Sequence, residues 1–341
     1  MKKGFLILAM ILLLVSFAGA DAKVLIDFSL LAADTADANG NMTQNQRTVM
    51  DYSNIAGSTY TDDQKALMST SMAIENWDVV LNSSAQTVES MSVSMAKEAQ
   101  VSDSSSRNAG QVIMGVRTLF PAGPYNANVT IKPPFEIPAY EPMEEGGETV
   151  GAETRFENGY GVIKNVGVIK KIAVEVLGRN FPHALYVQIS NENMDTKKIY
   201  MGNLQFDGWR TLEWVNPQYV SEVRNRELRL YPMYPQSTPF YKFDSFIVAR
   251  DAAHVGGDFV GYFKDVKMIY DKALLDAVSD VDDEDLWGII KDREDVRKNN
   301  EVRRFGNIQV LRFLEQQKQA TEDDFSSLEG GETAAAETAA E

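Results

Sequence analysis

Lys171–Ser190 reads KIAVEVLGRNFPHALYVQIS. Ile172, Val174 and Val176 alternate with Lys171, Ala173 and Glu175, and Leu185, Val187 and Ile189 alternate with Tyr186, Gln188 and Ser190. A period of two puts each apolar set on one face of an extended chain, so both halves read as strands with one buried side. Gly178-Arg179-Asn180-Phe181-Pro182 between them is turn chemistry.

The same alternation recurs outward from this stretch. Trp77, Val79 and Leu81 form one such set, and Met91, Val93 and Met95 another. Further strands are expected at 208–214, 226–231, 241–249 and 259–269, with turn residues at Ser190-Asn191-Glu192-Asn193, Phe206-Asp207-Gly208 and Val255-Gly256-Gly257-Asp258. Many short strands with no helical period between them argue for an antiparallel β-sandwich over residues 21–281 rather than an α/β sheet. Residues 34–64 are polar and read as long loops around one or two strands.

The period changes after Asp282-Asp283-Glu284-Asp285, whose charges suit a helix N-terminus. Leu286, Ile289 and Ile290 mark one apolar face, with Trp287 beside it. Ile308, Leu311 and Leu314 mark a second, with Val310 and Phe313 nearby. Two helices are expected over 282–319, broken near Asn299-Asn300 or Gly306. Arg293, Arg297, Lys298, Arg303 and Arg304 form a basic patch, either paired within the helix to Asp292, Glu294, Asp295 and Glu301 or free to dock a partner. Residues 320–341 carry acids and no base, a composition expected to stay disordered.

Six of the 11 prolines fall in residues 121–142. Proline fixes φ, lacks an N–H and extends the residue before it, which rules out a helix or a central strand there. The run reads as a stiff connector carrying Phe120, Tyr125, Phe135 and Tyr140, used to lock the core or to meet a partner.

Residues 1–20 read as an export signal. Lys2 and Lys3 precede an apolar run from Phe5 to Phe17, and cleavage is expected after Ala20 or Ala22. The apolar run is short for a membrane span, so no membrane insertion is expected. Cysteine is absent, which excludes disulfides, thiol catalysis and a lipid-anchored Cys, and a chain of this length can bury its core without cross-links. The formal net charge of −16 argues against a nucleic-acid partner and favours solubility. His183 and His254 both sit in turn sequences and read as surface-loop histidines. Nothing in the pattern marks a catalytic residue. Trp209 and Trp214, five apart, should face opposite sides of a strand, one in the core and the other exposed or covered by a loop; the two are the candidates for a ring that stacks on a glycan, against the alternative that both only pack.

Gly115-Val116-Arg117-Thr118-Leu119-Phe120-Pro121 and Ile131-Lys132-Pro133-Pro134-Phe135-Glu136-Ile137-Pro138-Ala139-Tyr140 resemble the spirochete periplasmic flagellar filament outer layer (sheath) proteins, the FlaA family. Glu75–Ala85 and Phe206–Leu212 support the resemblance, which extends to about Gln319. It implies a jelly-roll or carbohydrate-binding-like sandwich with C-terminal helices and a periplasmic location. It also implies a structural role: coating the core flagellins beside neighbouring sheath subunits and contributing to filament stiffness, shape and motility. No cofactor and no catalytic residue come with it. Calcium in an Asp/Asn/Gly-rich sandwich loop is left open. The contact candidates are Phe120, Tyr125, Phe135, Tyr140, Arg293, Arg297, Arg303 and Arg304. A free periplasmic carbohydrate-binding module is the alternative.

Overall fold

The computed structural model describes residues 21–32, 35–36, 42–43, 46–58, 60–140, 142–145, 148–219, 234–273 and 281–338. The expected export signal and the expected strand at 226–231 lie outside the described residues.

Twelve strands build two facing antiparallel sheets. In chain order they are β1 Asp21–Asp27, β2 Asp78–Leu81, β3 Met95–Gln100, β4 Val112–Phe120, β5 Ala127–Lys132, β6 Val162–Lys164, β7 Val166–Arg179, β8 Ala184–Asn191, β9 Thr196–Asn203, β10 Asp207–Val215, β11 Phe240–Arg250 and β12 Gly257–Lys272. One sheet runs β10-β7-β12-β4-β3, with β1 also paired to β12. The other runs β9-β8-β11-β5-β2, with β6 also paired to β11. The long strands β11 and β12 each pair two shorter strands end to end along one side, β5 and β6 on β11 and β4 and β1 on β12.

Residues 171–190 therefore cross from one sheet to the other. β7 belongs to the first sheet and β8 to the second, so the two apolar sets confront each other across the interior. Ile172, Val174, Val176, Leu185, Val187 and Ile189 are all fully buried. Phe246 of β11 stacks on Phe263 of β12 with ring centres 4.6 Å apart, tying the sheets together at mid-core.

Four local expectations differ from the structure. The alternating Met91-Val93-Met95 set is not one strand. A short helix, α1 Val88–Val93, precedes β3. Thr87 caps it reciprocally with Ser90: the Ser90 N–H donates to Thr87 Oγ1 at 3.0 Å and the Thr87 N–H to Ser90 Oγ at 2.8 Å. A capping box outweighs a three-member alternation. The proline run is also not uniformly outside the sheets. Its proline-free middle is β5, an interior strand between β11 and β2, while five of the prolines stay outside any ladder and Pro142 opens a short two-stranded hairpin, Pro142–Glu145 with Glu148–Thr154, at a strand's first position.

The other two differences are C-terminal. The helix break falls at Gly288, not at 299–306. The short helix α2 Asp283–Trp287 ends on Gly288 at φ +60°, a left-handed cap that suits glycine, and α3 then runs unbroken over Ile289–Thr338. Gly306 is a close-packing residue inside α3, where a Cβ would collide with Ile55. The tail expected to be disordered from 320 continues as backbone helix to Thr338, which its Ala- and Glu-rich composition permits.

Candidate functional site

The C-terminal helix and the proline connector meet on the outer face of the β9-β8-β11-β5-β2 sheet. Residues 133–140 form neither helix nor strand, so their backbone carbonyls have no ladder partners and need other donors. α3 supplies them. Gln309 Nε2 donates to the Pro134 carbonyl at 2.7 Å, and Arg312 donates to the same oxygen at 3.0 Å. The Ala139 N–H donates to Glu301 Oε2 at 3.1 Å. Arg297 donates to the Tyr140 hydroxyl at 3.2 Å.

Beneath this seam lies Lys242 of β11, 2% exposed. Its Nζ donates to Glu136 of the connector at 3.0 Å and to Glu301 of α3 at 2.7 Å. Arg304 closes the cluster by donating to Glu136 through Nε at 2.7 Å, and Arg312 pairs with Asp78 of β2. Burial alone would raise the Glu136 carboxyl, but the Lys242 charge and the hydrogen bonds from Lys242 and Arg304 outweigh it and hold the group below its usual range.

The connector's rings point inward. Phe135 is 5% exposed and packs edge-on against Phe305 of α3 at 5.2 Å and Phe156 at 5.8 Å. Tyr140 is 6% exposed and stands perpendicular to Phe240. Phe120 is buried against His183 and Phe259. Tyr125 is half-buried, its ring under the buried Arg250 guanidinium at 5.6 Å and its carbonyl accepting from Arg250 at 2.7 Å. Phe120, Phe135 and Tyr140 were candidate partner contacts, and the burial corrects this: these rings serve the chain's own interior. Among the candidate arginines, Arg293 and Arg303 are exposed, whereas Arg297 and Arg304 hold the connector. The basic patch thus pairs across elements rather than along the helix.

The docking face of α3 is also rotated from the expected one. Ile308 is 49% and Leu311 61% exposed, while Phe305, Gly306 and Gln309 are buried. The seat is a proline backbone with free carbonyls, so it selects Gln309 and Arg312 as much as apolar side chains. The 3.6-residue apolar pattern could not reveal that choice.

His183 is not a surface residue. It is 4% exposed, among Phe120, Phe181 and Phe259. Burial lowers its pKa to about 4, against a raising hydrogen bond with the Pro182 backbone and with smaller lowering contributions from His254 and Arg250. His254 is half-buried.

Between α3 and the open part of the sheet face runs a groove of about 590 Å³. Thr130 and Lys132 of β5, Gln188 and Ser190 of β8, and Asp244, Ser245 and Ile247 of β11 line its floor. Gln188 pairs Ser245 and Ile189 pairs Phe243, so Asp244 is the extra residue of a β-bulge. The bulge puts Asp244 and Ser245 side by side on one face, and Ser245 Oγ donates to the Asp244 carboxylate at 3.0 Å. Burial raises the Asp244 pKa, with the nearby Glu136 charge adding to it and Ser245, Lys132 and Gln188 opposing it.

Trp209 and Trp214 lie on β10, in the other sheet. Trp214 pairs with the buried Ile172 and packs half-buried against the core, under Lys197 at 5.1 Å. Trp209 pairs with Leu177 on the opposite face, also half-buried. Among the described residues no cluster of three or more acidic or imidazole groups could hold a metal, and no helix is long and apolar enough to cross a membrane.

A family model for the flagellar filament outer layer protein matches residues 41–279. A flagellar filament outer layer protein of Treponema pallidum (strain Nichols) is 52% identical over 97% of this chain and 98% of the relative. One from Spirochaeta aurantia is 45% identical over 95% of each, and one from Borreliella burgdorferi 30% identical over 85% of this chain and 81% of the relative. Among solved structures, a carbohydrate-binding module of the β-sandwich superfamily aligns over 58% of each chain at 6% identity, TM-score 0.29. A second, TmCBM61 in complex with β-1,4-galactotriose, aligns over 58% of this chain and 90% of that one at 8% identity, TM-score 0.27.

Proposed function

This chain belongs to the flagellar filament outer layer protein family, and from that membership we infer that it is a subunit of the sheath over the flagellin core of a periplasmic flagellar filament. The observation that carries the reading is the 52% identity to a named outer layer protein across nearly the whole of both chains. Its partners on this reading are the core flagellins beneath and the neighbouring outer layer subunits beside it. The export signal expected at residues 1–20 suits delivery to the periplasm, and the role is structural rather than catalytic.

The architecture suits a coat. The seam of Glu136, Lys242, Glu301 and Arg304 binds the C-terminal helix to the sandwich, so the subunit can carry load as one body. With the connector's rings turned inward, the contact surface falls to what α3 leaves outside: Arg293, Arg303, Val296 and Leu311, all exposed. These offer charge and apolar area on one element, as a core–rim contact needs.

Purified filaments test the reading. The protein should co-purify with intact filaments, and filaments from cells lacking it should be thinner and altered in helical shape. Recovery of the protein only in the free periplasmic fraction, with filaments of unchanged diameter in the deletion strain, would overturn it.

A further inference from the structure

We propose that the outer face of the β9-β8-β11-β5 sheet binds a neutral oligosaccharide, with a sugar ring stacked on Tyr200 and hydroxyls held by Gln188 and Asp244, the latter fixed by the buried Ser245. The ladder register builds this surface. Tyr186 of β8 pairs with Tyr200 of β9 on one side and Ile247 of β11 on the other, and Ile247 pairs with Thr130 of β5. One row across the sheet is thus aromatic, aromatic, aliphatic, hydroxyl. The next row pairs Lys198, Gln188 and Ser245, beside the bulged Asp244.

The aromatic end is accessible. Tyr200 is 53% exposed, with its ring centre 5.3 Å from that of Tyr186. Lys198 lies over the Tyr186 ring at 4.2 Å, which leaves Tyr200 as the open ring. A tyrosine ring held by a neighbour loses little freedom on binding and offers a flat apolar surface to the C–H face of a sugar.

The polar end selects by charge and by backbone. Arg304 is paired with Glu136, Lys242 with Glu136 and Glu301, and Arg312 with Asp78. Lys132 lies close enough to Asp244 to bias its ionisation. Arg304, Lys242 and Arg312 are therefore already matched to acids, and the Asp244 carboxyl lies on the floor, which favours an uncharged, hydroxyl-rich ligand over an anionic one. β8 and β11, which carry the polar end, have a strand on each side, so an extended peptide finds no edge to add to there as a strand. The groove at the polar end, about 590 Å³, lies inside the ~300–1,000 Å³ range of small-ligand clefts, and Tyr200 stands on the same sheet face outside its lining.

Calorimetric titration of the full chain with cellotriose, chitotriose, xylotriose and β-1,4-galactotriose tests this, with trigalacturonate as the charged control. At least one neutral trisaccharide should bind with a Kd below ~1 mM. Tyr200→Ala and Asp244→Ala should each weaken it by tenfold or more, with thermal midpoints near that of the parent. Trp209→Ala and Trp214→Ala should leave the Kd within twofold. The proposal is overturned if no neutral trisaccharide binds below ~10 mM, if only the charged control binds, or if the tryptophan variants abolish binding while Tyr200→Ala does not. The readout is independent of filament incorporation, so its failure leaves the outer-layer reading standing, and the reverse also holds.

Discussion

The crossing at residues 171–190 and the connector at 133–140 are both built without helix, yet they are held by different forces. In the crossing, backbone groups pair with neighbouring strands and side chains fill the interior, so stability is spread over two ladders and many small apolar contacts. In the connector the backbone has few ladder partners. Its carbonyls and N–H groups are answered by named side chains of one helix, and its ion pairs converge on one buried lysine. A ladder tolerates the loss of any one side chain, because the backbone carries its hydrogen bonds. A side-chain-held connector does not.

The largest expected effect is at the convergence point. Lys242→Ala leaves Glu136 and Glu301 facing each other without their common cation, and removing one member of a buried pair costs about 3–5 kcal/mol. Chemical denaturation should show this loss. Ile172→Val in the crossing should cost only ~0.5–1.5 kcal/mol by the same measurement. Equal losses in the two variants would break the contrast.

Acid should separate the two regions in the opposite order. The folded His183 titrates near pH 4 and the unfolded one near 6.5. Between those values the unfolded chain takes up a proton that the folded chain refuses, so stability falls as pH drops through this window, by about 3 kcal/mol at its lower end. Glu136 has a lowered pKa, so its contribution is present above the usual carboxylate value of 4.5 and is lost only as pH falls below that value and through the folded pKa. The crossing's turn therefore weakens first. In His183→Leu, the fall of unfolding free energy from pH 6.5 to 4.5 should be much shallower than the parent's, and a slope as steep as the parent's would count against this account.

The smallest effect is Tyr140→Phe, which deletes the acceptor for Arg297 and keeps the ring against Phe240. A loss of ~0.5–1.5 kcal/mol is expected. Faster hydrogen exchange at the neighbouring Ala139 N–H would show that the seam of α3 loosens locally.

Much of the fold is legible in the sequence. The strands around 172–176 and 185–189 announce themselves because each buries one face, and burial writes a period of two into the chain, whereas 241–249 is covered on both faces and reads as a nearly continuous apolar run. α1 was missed because a capping box and a short alternation share the same few residues. The site was far less legible. Lys242 sits among Phe240, Tyr241 and Phe243 as a lone cation in an apolar strand, which is a signal, but its partners Glu136 and Glu301 lie about a hundred residues upstream and about sixty downstream. The bulge that turns Asp244 onto the groove floor depends on register with β8, which no local pattern records.

What the sequence determined by itself is whatever depends on neighbours along the chain: alternation, turns, the exclusion of the prolines from the central strands, the acidic charge and the family resemblance. Tertiary structure alone decided that the prolines seat a helix, that Phe120, Phe135 and Tyr140 face inward, that His183 is buried, and that the groove lies over β8 and β11 rather than beside Trp209 and Trp214. The physical reason is that burial and pairing belong to contacts between distant segments. A ring, a lysine or a bulged aspartate acquires its environment only when the other side of the contact arrives.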